Sequence, residues 1–125
     1  MVWAAQQARV VLVDDEAILA GLFSRFLSRY YQVQEFSSPL EAKTYLESNP
    51  ADLLVSDLIM PHLNGLELAS LARQLHPDLK VVLISGTCPA TWLDNPPAGQ
   101  FDAFLSKPLR LADLWGCCHR VLSQP

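Results

Sequence analysis

Two rhythms of apolar and polar positions alternate along the chain. Continuous apolar, β-branched runs occur at Arg9–Val13 (RVVLV), Asp52–Ser56 (DLLVS) and Lys80–Ile84 (KVVLI). Such runs predict strands buried on both faces. Tyr31–Phe36 (YQVQEF) alternates instead and predicts a strand close to a sheet edge, and Ala103–Leu105 predicts a short fifth strand. Between these runs the period lengthens to that of a helix. Leu19, Leu22, Phe23, Phe26 and Leu27 recur at helical spacing, as do Leu68, Leu71, Ala72 and Leu75. Leu111, Leu114, Trp115, Cys118, Val121 and Leu122 form one face of a last helix.

Helix boundaries are written locally. Ser38 is placed to cap a helix, Pro39 suits its first position, and Glu41 stands where it can bond back to the cap. That helix is expected to end at Asn49-Pro50. Asn64 caps the next, which stops before Pro77, since a proline disfavours the helical conformation in the residue before it. Strand and helix therefore alternate into an α/β fold, a doubly wound parallel sheet with helices on both faces. The rhythm breaks once, at TCPATWLDNPPAGQ after Gly86. Pro96-Pro97 cannot continue a helix, each interior proline costing roughly 3 kcal/mol, and Asp94-Asn95 reads as a turn. The fourth helix is expected to be short, near Pro89–Leu93, or largely unwound.

Length and charge narrow the function classes. A chain of 125 residues, half of them apolar, fits one domain over residues 1–125. Its net charge is −4 and its nine Lys and Arg are scattered, which argues against direct nucleic-acid binding. No apolar stretch reaches membrane-spanning length and the N-terminus has no secretory pattern, so a cytoplasmic location with no membrane partner is expected. Cys88, Cys117 and Cys118 are odd in number and fit neither a disulfide framework nor a metal motif; they are expected to be buried or half-buried free thiols. His62, His76 and His119 match no ligand spacing and are expected on the surface.

In a doubly wound sheet, ligands bind beyond the carboxyl ends of the strands. The first strand ends at Asp14-Asp15, the third at Asp57, the fourth at Ser85 and the fifth just before Lys107. Carboxylates gathered at one edge repel one another, and a divalent cation relieves the repulsion. Oxygen-only ligands select Mg²⁺, which favours phosphate chemistry. Ser85 and Lys107 suit phosphoryl oxygens, and a carboxylate attacking phosphorus forms an acyl phosphate. Asp57, alone on a central strand between the acidic pair and the Ser/Lys partners, is the best nucleophile. The Pro after Lys107 is compatible with a bend or a cis peptide that aims the ammonium inward. Gly65 is expected to serve a backbone turn.

Asp14-Asp15, Asp57 in SDLIMPHLNG, Ser85-Gly86 after VVLI and Lys107-Pro108 in FLSKP together resemble the receiver domain of bacterial two-component response regulators (the CheY-like family), over nearly the whole chain. The resemblance implies a flavodoxin-like (βα)5 fold with strand order 2-1-3-4-5. It implies phosphotransfer onto Asp57 from a histidine kinase or a histidine phosphotransfer protein, and control of an output partner or domain. Carried over residue by residue, Asp15 and Asp57 bind Mg²⁺ directly and Asp14 helps directly or through water. The backbone carbonyl of Ile59 adds a further metal contact. Ser85 and Lys107 hold the phosphoryl group, and Ser85 and Phe104 form the conformational switch. Phe104 has no hydroxyl to desolvate, which favours its buried rotamer.

Other readings meet specific obstacles. A dehalogenase-type phosphatase needs an acid two residues after the nucleophile, where this chain has Ile59. No G-x-G-x-x-G follows the first strand, against dinucleotide binding. The expected protein is thus not an enzyme acting on a separate substrate. A phosphate-independent docking or dimerisation module with the same fold is the alternative, because the irregular fourth-helix region alters a surface that relatives use for output. The last helix lacks the alternating charges of relatives that dimerise, while Trp92 and Trp115 stand either as an apolar patch or as core aromatics. Ile59 cannot position an attacking water, so a slowly hydrolysed acyl phosphate is expected.

Overall fold

The structure, a computed structural model, describes residues 8–87, 92, 97 and 99–124. The strands are β1 (Arg9–Val13), β2 (Gln32–Phe36), β3 (Leu53–Asp57), β4 (Lys80–Ser85) and β5 (Ala103–Ser106). The helices are α1 (Ala17–Leu27), α2 (Pro39–Ser48), α3 (Gly65–Leu75) and α4 (Leu111–Ser123). All neighbouring strands pair in parallel, in the order β2-β1-β3-β4-β5, the flavodoxin-like order. Chain order thus reverses beside β1, which is flanked by β2 and β3. β2 is an edge strand, in keeping with its alternating sequence.

Every residue of β3 is buried, and the period of two sorts its side chains onto two cores. Val10, Leu12, Leu53, Val55, Val82 and Ile84 meet Phe23 and Leu27 of α1 and Leu114, Cys118 and Val121 of α4. Val11, Val13, Leu54, Val81 and Leu83 meet Ala42 and Leu46 of α2 and Leu68, Ala69 and Ala72 of α3. Each fully buried Leu or Val contributes about 1.5–3 kcal/mol by leaving water. The framework holding the strand ends is therefore rigid on both faces.

Local signals act at the ends of α2 and α3. Ser38 Oγ accepts from Glu41 N at 3.4 Å, and Pro39 opens α2. The bond from the Glu41 carboxylate back to the Ser38 amide does not form. α3 has the complete reciprocal pair: Glu67 N donates to Asn64 Oδ1 at 2.8 Å and Asn64 N to Glu67 Oε1 at 3.0 Å.

Several expectations need correction. Leu22 and Leu75 are 44% and 45% exposed, lying on the flanks of helical stripes whose centres alone reach the core. His62 and His119 are exposed, but His76 is half-buried, and its Nε2 donates to the Leu46 carbonyl at 2.9 Å, tying α3 to α2. Of the two alternatives for Trp92 and Trp115, half-buried aromatics beside the core hold and a shared apolar patch does not. Trp115 packs on the α1–α4 core and Trp92 on the opposite one. Cys117 and Cys118 are buried free thiols, whereas Cys88 lies outside the described residues. So does most of the expected fourth helix, with Asp94, Asn95 and Pro96. Among the described residues no helix is long and apolar enough to cross a membrane.

Candidate functional site

β1 and β3 deliver their acids differently. Asp14 follows the last residue of β1 and is buried. Its amide donates to the Phe36 carbonyl at 3.1 Å, and its Oδ1 accepts from Glu16 N at 2.9 Å. Asp15, next in the chain, is exposed. Asp57 is itself the last residue of β3 and is buried, with Ile84 of β4 as its sheet neighbour. Oxygens of Asp14, Asp15 and Asp57 all lie within 4.8 Å of one another.

Gly65 lets the chain fold tightly behind Asp57. Its amide donates to the Leu58 carbonyl at 2.8 Å. A Cβ there would collide with the Asp57 carbonyl oxygen and stand 3.0 Å from Leu58 Cα. Gly65 therefore answers a close approach of backbone to backbone, not the turn conformation expected of it. The left-handed residue of this loop is His62, with φ 73°.

From the other side come Ser85 and Lys107. Ser85 ends β4, is buried, and accepts from Thr87 N through its Oγ at 3.2 Å. The Ser85 carbonyl accepts from Lys107 N at 2.8 Å, which fixes the backbone of Lys107 beside it. The Lys107-Pro108 peptide is cis. The Lys107 ammonium lies 3.0 Å from Asp14 Oδ2 and 3.4 Å from Asp57 Oδ2.

Electrostatics follow from this packing. Burial, reinforced by the Asp14 charge, pushes the Asp57 carboxyl up to about 6, against the opposing pull of Lys107. Burial draws the Lys107 ammonium down, but bonding and attraction to Asp14 and then Asp57 outweigh it and leave the group above its ordinary value. One ammonium does not balance three carboxylates, so the site retains a demand for positive charge. Three carboxylates with oxygens this close together are an oxygen-only donor set of the kind that suits Mg²⁺.

The carboxylates of Asp14, Asp15 and Asp57 and the Lys107 ammonium thus converge, and Ser85 stands at the adjoining strand end, tied to Lys107 through its backbone. Ile59, two residues past Asp57, is 60% exposed and stands at the rim. Phe104, in β5 beside Leu83, is half-buried. Sequence reasoning missed Glu16, whose carboxylate is 3.9 Å from Lys107 Nζ. Its place after Asp14-Asp15 was the available signal, but the reach of Lys107 was not.

The family model of the response regulator receiver domain matches residues 10–117. The chain belongs to the response regulator receiver family. This receiver is 32% identical over 107 residues to the response regulator receiver protein CpdR of Brucella abortus (strain 2308), covering 85% of this chain and 89% of that one. It is 37% identical over 110 residues to the sensor kinase CckA of the same organism, covering 86% of this chain but only 12% of the kinase. In fold it is similar to a CheY-like receiver domain protein from Methanospirillum hungatei JF-1, with TM-score 0.83, 23% identity and 94% of both chains covered. Receivers are in general signalling modules of two-component systems, not enzymes on separate substrates. They interact with histidine kinases and output domains, and generally bind Mg²⁺ at an acidic cluster such as Asp14, Asp15 and Asp57 here.

Proposed function

We propose that this receiver takes a phosphoryl group from a phosphohistidine donor onto Asp57 and changes conformation to control a downstream partner or output domain. The observation that carries the reading is the Lys107 ammonium set between Asp14 and Asp57, 3.0 Å and 3.4 Å away, inside a cluster of three carboxylates. A carboxylate oxygen of Asp57 attacks phosphorus, the bond from phosphorus to the donor imidazole nitrogen breaks, and the ring, already protonated on its other nitrogen, leaves as neutral imidazole. Burial makes the Asp57 carboxylate dependent on nearby positive charge, which Lys107 supplies in part.

Asp14, Asp15, Asp57 and the Ile59 carbonyl would hold Mg²⁺, which, when bound, neutralises charge on the phosphoryl oxygens. Lys107 then pairs with one phosphoryl oxygen and the Ser85 hydroxyl donates to another. Movement of Ser85 toward the phosphoryl group draws Phe104 with it as the readout. The chain catalyses only its own phosphorylation and dephosphorylation, and the cytoplasm, where phosphohistidine donors act, is the compartment that fits.

Intact-mass measurement after incubation with acetyl phosphate and Mg²⁺ tests this. One phosphoryl adduct on the wild type, absent from Asp57→Asn and from chelator-treated samples, is the expected result. Folded protein that takes up no phosphoryl group from several donors would instead mean a docking module that works without phosphate.

A further inference from the structure

Phe104 does not stand alone on its side of the sheet. Its ring meets that of Trp92 edge to face, with centroids 5.8 Å apart and planes at 75°. Phe101 lies 6.4 Å from Phe104 and stacks on Trp92 at 5.4 Å and 22°. All three rings are partly buried against the α2–α3 core.

The backbone that carries Phe101 is itself held from both sides. Arg73 of α3 donates through Nη1 to the Gly99 carbonyl at 2.7 Å, through Nη2 to Asp102 Oδ2 at 2.6 Å and through Nε to the Leu79 carbonyl at 3.2 Å. Asp102 Oδ2 also accepts from Val81 N, and Asp102 N donates to the Val81 carbonyl, both at 2.8 Å. One guanidinium therefore binds the residues flanking Phe101 to the rigid end of α3 and to the start of β4.

We propose that Trp92 and Phe101, anchored through Arg73, form an aromatic backstop that holds Phe104 in its packed position, which the switch movement leaves, and so sets how readily the site accepts a phosphoryl group. The inference rests on the reading of Phe104 as the switch residue. A ring that leaves this position gives up an edge-to-face pair, a loss that translates into roughly two- to tenfold in an equilibrium constant. Phosphorylation shifts the protein only by its differential affinity for the two arrangements, so a firmer backstop raises the threshold. Trp92 touches no reacting atom. It is a positioning residue acting through Phe104.

The test titrates the full chain with beryllium fluoride and Mg²⁺, a phosphoryl mimic, and follows tryptophan emission and mimic affinity. Wild-type emission is expected to change on binding, and the change is expected to be missing in Trp92→Phe, which retains near wild-type affinity. Trp92→Ala is expected to bind the mimic about two- to tenfold more tightly, and to add nothing in a Phe104→Ala background. Phe101→Leu should tighten binding in the same direction, which keeps the test open if Trp92→Ala does not fold. Unchanged or weaker affinity in folded Trp92→Ala or Phe101→Leu, with wild type binding normally, overturns the backstop alone. Wild type that binds no mimic and takes no phosphoryl group overturns both the backstop and the receiver chemistry.

Discussion

Lys107, at the end of β5, lies 3.0 Å from Asp14, at the end of β1 and 93 residues earlier in the chain. The same ammonium serves Asp57 at 3.4 Å, so it acts as a resident counter-cation for the buried acids. Replacing it with a neutral side chain of similar length, Lys107→Met, separates its two roles. Phosphoryl uptake by Asp57 should fall about tenfold or more, because a charge-assisted bond to the phosphoryl group is lost. Mg²⁺ should bind more tightly, because its competitor is gone. Intact-mass kinetics and calorimetric Mg²⁺ titration read the two effects, and weaker Mg²⁺ binding would contradict the counter-cation role.

The acidic cluster also carries a stability cost with a definite sign. Burial, with the Asp14 charge beside it, pushes the folded Asp57 carboxyl up to about 6 from its ordinary 3.8. A raised value means that its favourable contribution is fully present below the unfolded value and is lost as pH rises through the folded one. Asp57→Asn cannot ionise and should stabilise the metal-free protein at pH 7.5 by about 1–2 kcal/mol after allowance for solvent screening. The gain should vanish near pH 4. Thermal melts in chelator at both pH values check this, and an equal gain at both would mean that ionisation is not the cause.

Gly65 and Gly116 make a matched pair. A methyl group at Gly65 collides with the Asp57 carbonyl, while one at Gly116 in α4 meets nothing within 4 Å. Gly65→Ala should destabilise by about 1–3 kcal/mol and slow phosphoryl uptake by displacing Asp57. Gly116→Ala should stabilise by about 0.5–1 kcal/mol and leave uptake unchanged. Denaturant melts of the two variants would expose the error if they moved in the same direction.

At the rim, Ile59 offers an exposed apolar side chain and no group to orient water. Ile59→Asn should therefore shorten the lifetime of the acyl phosphate severalfold. Loss of the phosphoryl adduct with time, followed by mass, decides the point. A lifetime equal to that of wild type would remove Ile59 from the account of hydrolysis.

Much of the fold was legible because its causes are local. Buried runs such as Lys80–Ile84 form strands, Pro39 and Asn64 open helices and Pro77 forbids continuation, each acting within a few residues. The placement of the acids, Ser85 and Lys107 at one edge was legible because the strand ends of a parallel sheet share that edge. Periodicity alone did not contain the strand order, which came from the family resemblance. The two sides of the sheet were also hidden, so Trp92 and Trp115 could be imagined in one patch although the sheet separates them.

The sequence by itself therefore determined which segments are strands and helices, and which chemical groups stand at their ends. Only the tertiary structure decided that Lys107 reaches Asp14, that His76 bonds the Leu46 carbonyl, that Gly65 is pressed against Asp57, and that Trp92 and Phe101 bracket Phe104. Backbone preference and capping operate over one turn or one strand. These contacts instead depend on sheet register and helix docking, which bring together residues that no local pattern relates.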